Sequence, residues 1–522
     1  MAFSHILILV SIVSLTLFLR RRRKGYTTPL TGPPGESLIF GVMGSLNSVD
    51  ADSGELMEQW AKEYGNVYQV PTVFGGKRII LCDLRAVRDF YTKETWTYVG
   101  TPLSKRLIGN FGKGVLWAEG ESHRRQRKAL SPAFSNAAIR RLTSVFFDSA
   151  YKLKAHWDNE LINQADGAII EVQAWMNHVA LDSIGIAGFS HDFGALDGKV
   201  SPVVTAFESL GSARPSTVAK IKFLLSSVIP VLSYLPTERS RMFEELQRSM
   251  REIANVLLER SRKAVSDEKS IIGLLIKAES TDGELHMSEE EVLAQNVLLL
   301  AVSLTWALIE LAKQPEKQER LRKELLELAG NTDPTWDQLT GTEFPYLDAV
   351  VHETLRLHPP LVETNRVATQ DDILPLATPI TTADGTNVSA PIRYVNRAEA
   401  IWGPRAKEFI PERWLGFTEG ESKHVDTAPL NEKSVEIGIP PSVQEIQGHK
   451  HLLTFSDGPR TCLGKSFALA EFKAVLSVLI RNYSFEFDDP DTKIAIHRAV
   501  LPRPKVQECD SAKVPMRVRR VE

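Results

Sequence analysis

The chain has 522 residues, 43% of them hydrophobic and 24% charged, with a formal net charge of -3. This balance excludes a disordered or collagen-like polypeptide and leaves ample apolar material for a large core. With no basic excess, no nucleic-acid partner is expected.

Residues 3–19, FSHILILVSIVSLTLFL, form an apolar run that meets RRRRK at 20–24. As a helix it reaches about 25 Å, enough for a thin bilayer with snorkelling arginines. A cleaved signal would carry its charge ahead of the run, so residues 1–24 read as a membrane anchor with a basic stop, and lipid is an expected partner. Residues 25–37, GYTTPLTGPPGES, read as a proline-rich hinge. Cys82, Cys462 and Cys509 are widely spaced and odd in number, which suits a reducing compartment rather than a disulfide framework.

Beyond the hinge, ELMEQWAKEYG predicts a short amphipathic helix closed by Gly65. VYQVPTVFGGKRIILCD predicts two strands around Gly75 and Gly76, with Cys82 in the core. Helical periodicity then dominates at about 135–160, 171–186, 239–265, 289–313, 316–329, 345–357 and 466–482. Nothing divides residues 38–522, so they are expected to form one domain, mainly α with small β-sheets.

The sharpest motif is FSDGPRTCLGKSFALAEFK at 455–473. Phe455, Gly458, Arg460, Cys462 and Gly464 give F-x-x-G-x-R-x-C-x-G directly before an apolar-faced helix. The glycines let a loop lie flat against something planar, and the helix N-terminus favours a thiolate at Cys462, a suitable ligand for haem iron. HETLRLHPP, from His352, lacks the second histidine of a zinc-protease motif because Arg356 stands in its place. Instead Glu353 and Arg356 share a helix face and can pair, and Arg413 in EFIPERWLG can join them.

On these residues the chain resembles a membrane-bound cytochrome P-450 of the fungal microsomal type, a haem-thiolate monooxygenase. The resemblance implies the cytochrome P-450 fold (α+β) behind an N-terminal transmembrane helix in the endoplasmic reticulum. It makes Cys462 the axial ligand of haem b, and Glu353, Arg356 and Arg413 a structural triad. GESHRRQRKALSPAF matches the family's Trp-x-x-x-Arg helix, with His123 in the tryptophan's place and Arg127 kept. Those two, with Arg460 and Arg366, are the implied donors to the haem propionates. Phe455 and Gly464 complete the haem-binding loop. Electrons would come from an NADPH-dependent flavoprotein reductase, and the substrate would be a small hydrophobic molecule, either a xenobiotic such as a polycyclic aromatic or a terpenoid.

The chain departs from the family pattern in two places. NVLLLAVSLTWALIELAKQ at 296–314 follows a capping box, Ser288 and Glu291, and occupies the place of the helix that crosses the haem. The family's Ala-Gly-x-Asp/Glu-Thr there becomes Ala301-Val302-Ser303-Leu304-Thr305, leaving Thr305 as the remaining catalytic candidate. The simplest account is that about six residues are absent between Ala301 and Val302, which would turn one flank by about 240° net and shorten the helix by ~9 Å. A second loss removes an Ile-Pro-x-Gly hairpin near 388–396. Two alternatives therefore stand beside the monooxygenase: a haem-thiolate isomerase or peroxygenase needing no proton relay, or an impaired splice variant.

Overall fold

The computed structural model describes residues 27–37, 39–46, 52–109, 112–199, 203–205, 300–330, 332–415, 438–497, 502–509 and 511–521, with a few helical positions between 241 and 255. Residues 1–24, Ser288 and Glu291, and the expected start of the helix at 289 lie outside them. Among the described residues, no helix is long and apolar enough to cross a membrane.

Helix α1 (Ser53–Tyr64) starts where the Asp52 carboxylate accepts from Gly54 N, and it stops at Gly65, whose φ of 92° suits glycine. Strands β1 (Val67–Pro71) and β2 (Lys77–Leu81) pair antiparallel. In β1 every second residue is buried, whereas Ile79, Ile80 and Leu81 of β2 are all inaccessible because both faces of that strand are covered. Helix α2 (Leu84–Thr92) is capped by Asp83 and leads to β3 (Tyr98–Gly100). Residues 27–31, expected as part of a hinge, are tied to the sheets: Thr28 N donates to Thr381 O and Gln69 N to Thr31 O.

Then come α3 (Gly120–Leu130), α4 (Thr143–Glu160), β4 (Ala168–Glu171) and α5 (Val172–Phe189). Further along the chain follow α6 (Leu300–Lys313), α7 (Pro315–Ala329) and α8 (Pro345–Leu357). Both α7 and α8 begin with proline at the first helical position, where the missing N–H has no intrahelical partner to lose. The short strands β5 (Thr364–Ala368), β6 (Asp372–Leu374), β7 (Ile380–Thr382) and β8 (Asn387–Ala390) precede α9 (Lys465–Asn482), β9 (Tyr483–Glu486), β10 (Ile494–His497), β11 (Arg503–Val506) and β12 (Pro515–Arg520).

The strands form a five-stranded sheet, β1-β2-β8-β5-β3, a three-stranded sheet, β4-β12-β9, and two hairpin-like pairs. Only β2 and β8 pair in parallel among these. Near 388–396, where the family's Ile-Pro-x-Gly hairpin was expected to be missing, β8 runs through Pro391 directly into a short helix, Ile392–Arg397. The apolar helix α6 packs against α5, α8, α9 and β9. Its Leu304, Ala307, Leu308, Ile309 and Leu311 are inaccessible, so its nearly uniform hydrophobicity is that of an interior helix. Helix α9, buried along most of its length, packs on α4 and sets the position of the cysteine loop at its N-terminus.

Candidate active site

The loop before α9 is built from two left-handed residues, Ser456 (φ 61°) and Gly458 (φ 63°), and one short cross-loop bond. Cys462 N donates to Phe455 O at 2.7 Å, turning the chain back on itself. The Cys462 thiol is hemmed in by protein, which pushes it up from the ordinary thiol range; the Gly464 N–H and the charges of Arg127 and Lys465 pull the other way. Yet Cys462 keeps an accessible face. Gly464 borders open space: a Cβ there would meet only the Phe134 ring, at 3.8 Å. Bound metal would tip this thiol to thiolate outright.

Four expected donors come from three separate elements. His123 and Arg127 lie one turn apart on α3, Arg366 sits in β5, and Arg460 precedes the cysteine. Burial, then Arg460 and Arg127, hold the His123 imidazole down to about 4, so it is neutral near pH 7. Arg127 is electrostatically coupled to Cys462. Arg460 bonds the Ala118 carbonyl and the Glu119 carboxylate. Arg366 Nη2 lies 2.6 Å from Glu94 Oε1. The buried Nε atoms of both Arg366 and Arg460 have no acceptor. An accessible soft ligand, open space beside Gly464 and unused guanidinium donors fit an anionic, planar metal group such as haem.

Glu353 and Arg356 are both inaccessible and pair bidentately, at 2.8 Å and 2.9 Å. The rest of the guanidinium donates to the carbonyls of Asn396, Ala406 and Glu408. Glu353 also accepts from Ile410 N, Arg413 Nε and Trp414 Nε1. Burial alone would raise the Glu353 carboxyl, but Arg356 and Arg413 hold it below its ordinary value. The structure thus brings together the three residues expected as a triad and adds Trp414.

Thr305 is inaccessible, and its hydroxyl donates to the Ala301 carbonyl one turn back at 2.9 Å. At the next position of α6, Trp306 stacks on His358 at 3.8 Å, and Glu310, one turn on from Trp306, holds the His358 Nε2 at 2.7 Å.

The family model described as Cytochrome P450 matches residues 32–509, more than half of the chain. The chain is a cytochrome P450. It is 57% identical over 528 aligned positions to the cytochrome P450 monooxygenase claP of Ampulloclitocybe clavipes, covering 96% of this chain and 94% of that one. Its identity to claQ of the same fungus is 56% over 531 positions, with 96% and 95% covered. Cytochrome P450 monooxygenase 128 of Postia placenta is 32% identical over 524 positions, with 92% and 91% covered. This P450 is a monooxygenase that uses haem b with electrons from NADPH through a reductase. An alignment of 528 positions that draws on 96% of 522 residues leaves roughly two dozen positions without a counterpart in this P450.

Sequence reasoning missed Glu94 and Glu119, the acids that meet Arg366 and Arg460. Glu119 adjoins the α3 motif and was within reach of a charge count, but nothing local in TKETWTY marks Glu94.

Proposed function

We propose that this P450 oxidises a small hydrophobic molecule, a xenobiotic such as a polycyclic aromatic or a terpenoid metabolite, at a haem held by Cys462. In this reading Arg460, His123, Arg127 and Arg366 bind the propionates, Phe455 and Gly464 line the thiolate face, and Glu353, Arg356 and Arg413 fix the core behind it. His123, being neutral, contributes an N–H rather than a charge. Haem supplies oxygen activation when bound, and the thiolate promotes O–O cleavage. The chain orients the cofactor, sets the Cys462 sulfur near the positive charges of Arg127 and Lys465, and excludes bulk water from α6. Residues 1–24 serve as an anchor in the endoplasmic reticulum membrane, 25–37 as the segment leading from it, and 38–522 as the catalytic domain, with lipid and the flavoprotein reductase as partners.

The observation that supports this reading is the accessible face of Cys462 together with the unused buried donors of Arg366 and Arg460. The test is a reduced, carbon-monoxide difference spectrum of the full chain. A thiolate-type Soret band that is lost in Cys462→Ala is expected; an unchanged band in that variant overturns the assignment.

A second reading has its own observation. The Thr305 hydroxyl is engaged by its own helix, and α6 lacks the family's acid. A peroxygenase or isomerase would work without that proton relay, and an impaired splice variant would bind haem without turnover. Peroxide-driven product without NADPH-driven product selects the former. A Soret band with neither product selects the latter.

A further inference from the structure

Arg366 and Arg460 each already face a carboxylate, and the two carboxylates differ in what else holds them. Glu119 pairs with Arg460, accepts from Gly100 N at 2.7 Å and lies 3.7 Å from Lys105 Nζ. Glu94, just beyond α2, is wholly inaccessible. Arg366 Nη2 approaches it to 2.6 Å as an ion pair, and beyond that guanidinium no donor among the described residues reaches either carboxylate oxygen. The other charged or titratable groups facing it are Arg460 from the cysteine loop, Glu119 ahead of α3 and Tyr91 from α2.

We propose that Glu94 is the proton-accepting residue of the haem nest: when the two propionates draw Arg366 and Arg460 toward themselves, Glu94 takes a proton from solvent. This inference rests on the haem-site reading above. The reasoning is one of charge. Arg366, Arg460 and Lys105 stand against Glu94 and Glu119, Arg127 stands against Cys462 and His123 is neutral, so the cluster around the two acids carries one net positive charge before two propionates arrive. Their arrival leaves one excess negative charge, and a buried carboxylate without donors is the least tolerable place for it. Glu119 keeps Gly100 N and Lys105 when Arg460 turns away; Glu94 keeps nothing. Burial already pushes the Glu94 carboxyl upward, with Glu119 adding to that push and Arg366 and Arg460 opposing it. The step is a protonation only: the O–H bond forms on Glu94, and in the overall balance its proton offsets the one Cys462 gives up to solvent on becoming a thiolate.

The consequence is that haem binding exchanges no net proton with solvent, because the proton Cys462 gives up on becoming a thiolate is matched by the one Glu94 takes up. Transfer of haem from the full-length holoprotein to excess apomyoglobin, followed at the Soret band between about pH 6 and pH 9, should therefore show an affinity that changes little with pH. Glu94→Gln, a fixed mimic of the protonated acid, leaves the Cys462 proton unmatched, so it should hold haem as tightly as the wild type at low pH and gain affinity by up to about tenfold per pH unit above that. Glu119→Gln should keep the wild-type slope. Equal slopes in Glu94→Gln and wild type overturn the proposal, as does a folded Glu94→Gln that loses haem at every pH. A measurement on the wild type alone guards against a variant that misfolds: haem loss in weakly buffered solution should leave an indicator dye unchanged, because the proton Glu94 releases matches the one the Cys462 thiolate takes up, and a net uptake of protons overturns the proposal. A chain with no Soret band fails the haem-site reading together with this one, whereas a normal band with equal slopes fails this one alone.

Discussion

Gly458 lies directly under the backbone carbonyl of Tyr91: a Cβ built at 458 would sit 2.3 Å from that oxygen and 2.9 Å from its carbon. The contact joins the cysteine loop to the end of α2, two segments more than 350 residues apart in sequence, and it is backbone on one side, so nothing flexible can give way. The residue also holds φ at 63°, where a side chain is strained.

Gly458→Ala should therefore destabilise the loop by about 2 kcal/mol or more, the sum of left-handed strain and a clash that displaces α2. The expected outcome is a lower Tm and a several-fold loss of haem per polypeptide, read from the ratio of Soret to protein absorbance. An alanine variant with full haem content would show that the loop and α2 separate freely.

Arg356→Ala should prevent accumulation of folded protein. It would strand the inaccessible Glu353 carboxylate with reduced compensation, at a cost of about 3–5 kcal/mol against a total stability of roughly 5–15. Arg356→Lys should fare nearly as badly, because a lysine cannot reproduce the bidentate pair while also reaching the carbonyls of Asn396, Ala406 and Glu408. Urea unfolding and soluble yield measure both. The Glu353 carboxyl is held below its unfolded value, so its stabilising contribution is present above that unfolded value and is lost as pH falls through the folded one.

Glu471 in α9 runs the opposite way. Burial pushes its carboxyl up to about 8, only partly offset by the Ser183 hydroxyl from α5. The folded state then binds more protons than the unfolded state between about pH 4.5 and pH 8, so this residue lowers stability as pH rises through that window. Glu471→Gln should be more stable than the wild type near pH 8 by a few kcal/mol, at about 1.4 kcal/mol per pKa unit, with the difference vanishing near pH 4.5. Thermal or urea unfolding at both pH values checks it; an equal deficit at both would point to lost packing instead.

Inserting a six-residue turn carrying Gly-x-Glu-Thr between Ala301 and Val302 should restore the acid and alcohol that α6 lacks. If their absence limits turnover, NADPH-driven product formation should rise by about 10²- to 10⁴-fold, the usual contribution of a positioned proton donor. Unchanged turnover in a variant with a normal Soret band would favour the peroxygenase or isomerase reading.

The sequence by itself determined whatever depends on short-range pattern. The spacing around Cys462 marked the family, the Glu353–Arg356 interval put two opposite charges on one helix face, and apolar periodicity with prolines at 315 and 345 marked α7 and α8. These are legible because a helix or loop repeats its geometry every few residues and each repeat constrains residue type locally. Tertiary structure alone decided the pairings across long intervals: Tyr91 over Gly458, Glu94 against Arg366, Trp414 onto Glu353, and a Thr305 hydroxyl turned to its own helix inside a fully packed core. No local spacing encodes which carboxylate lacks other donors, because that is set by what the folded chain excludes from around it. The motif thus announces a thiolate ligand, while packing decides which acid beside it can afford no charge.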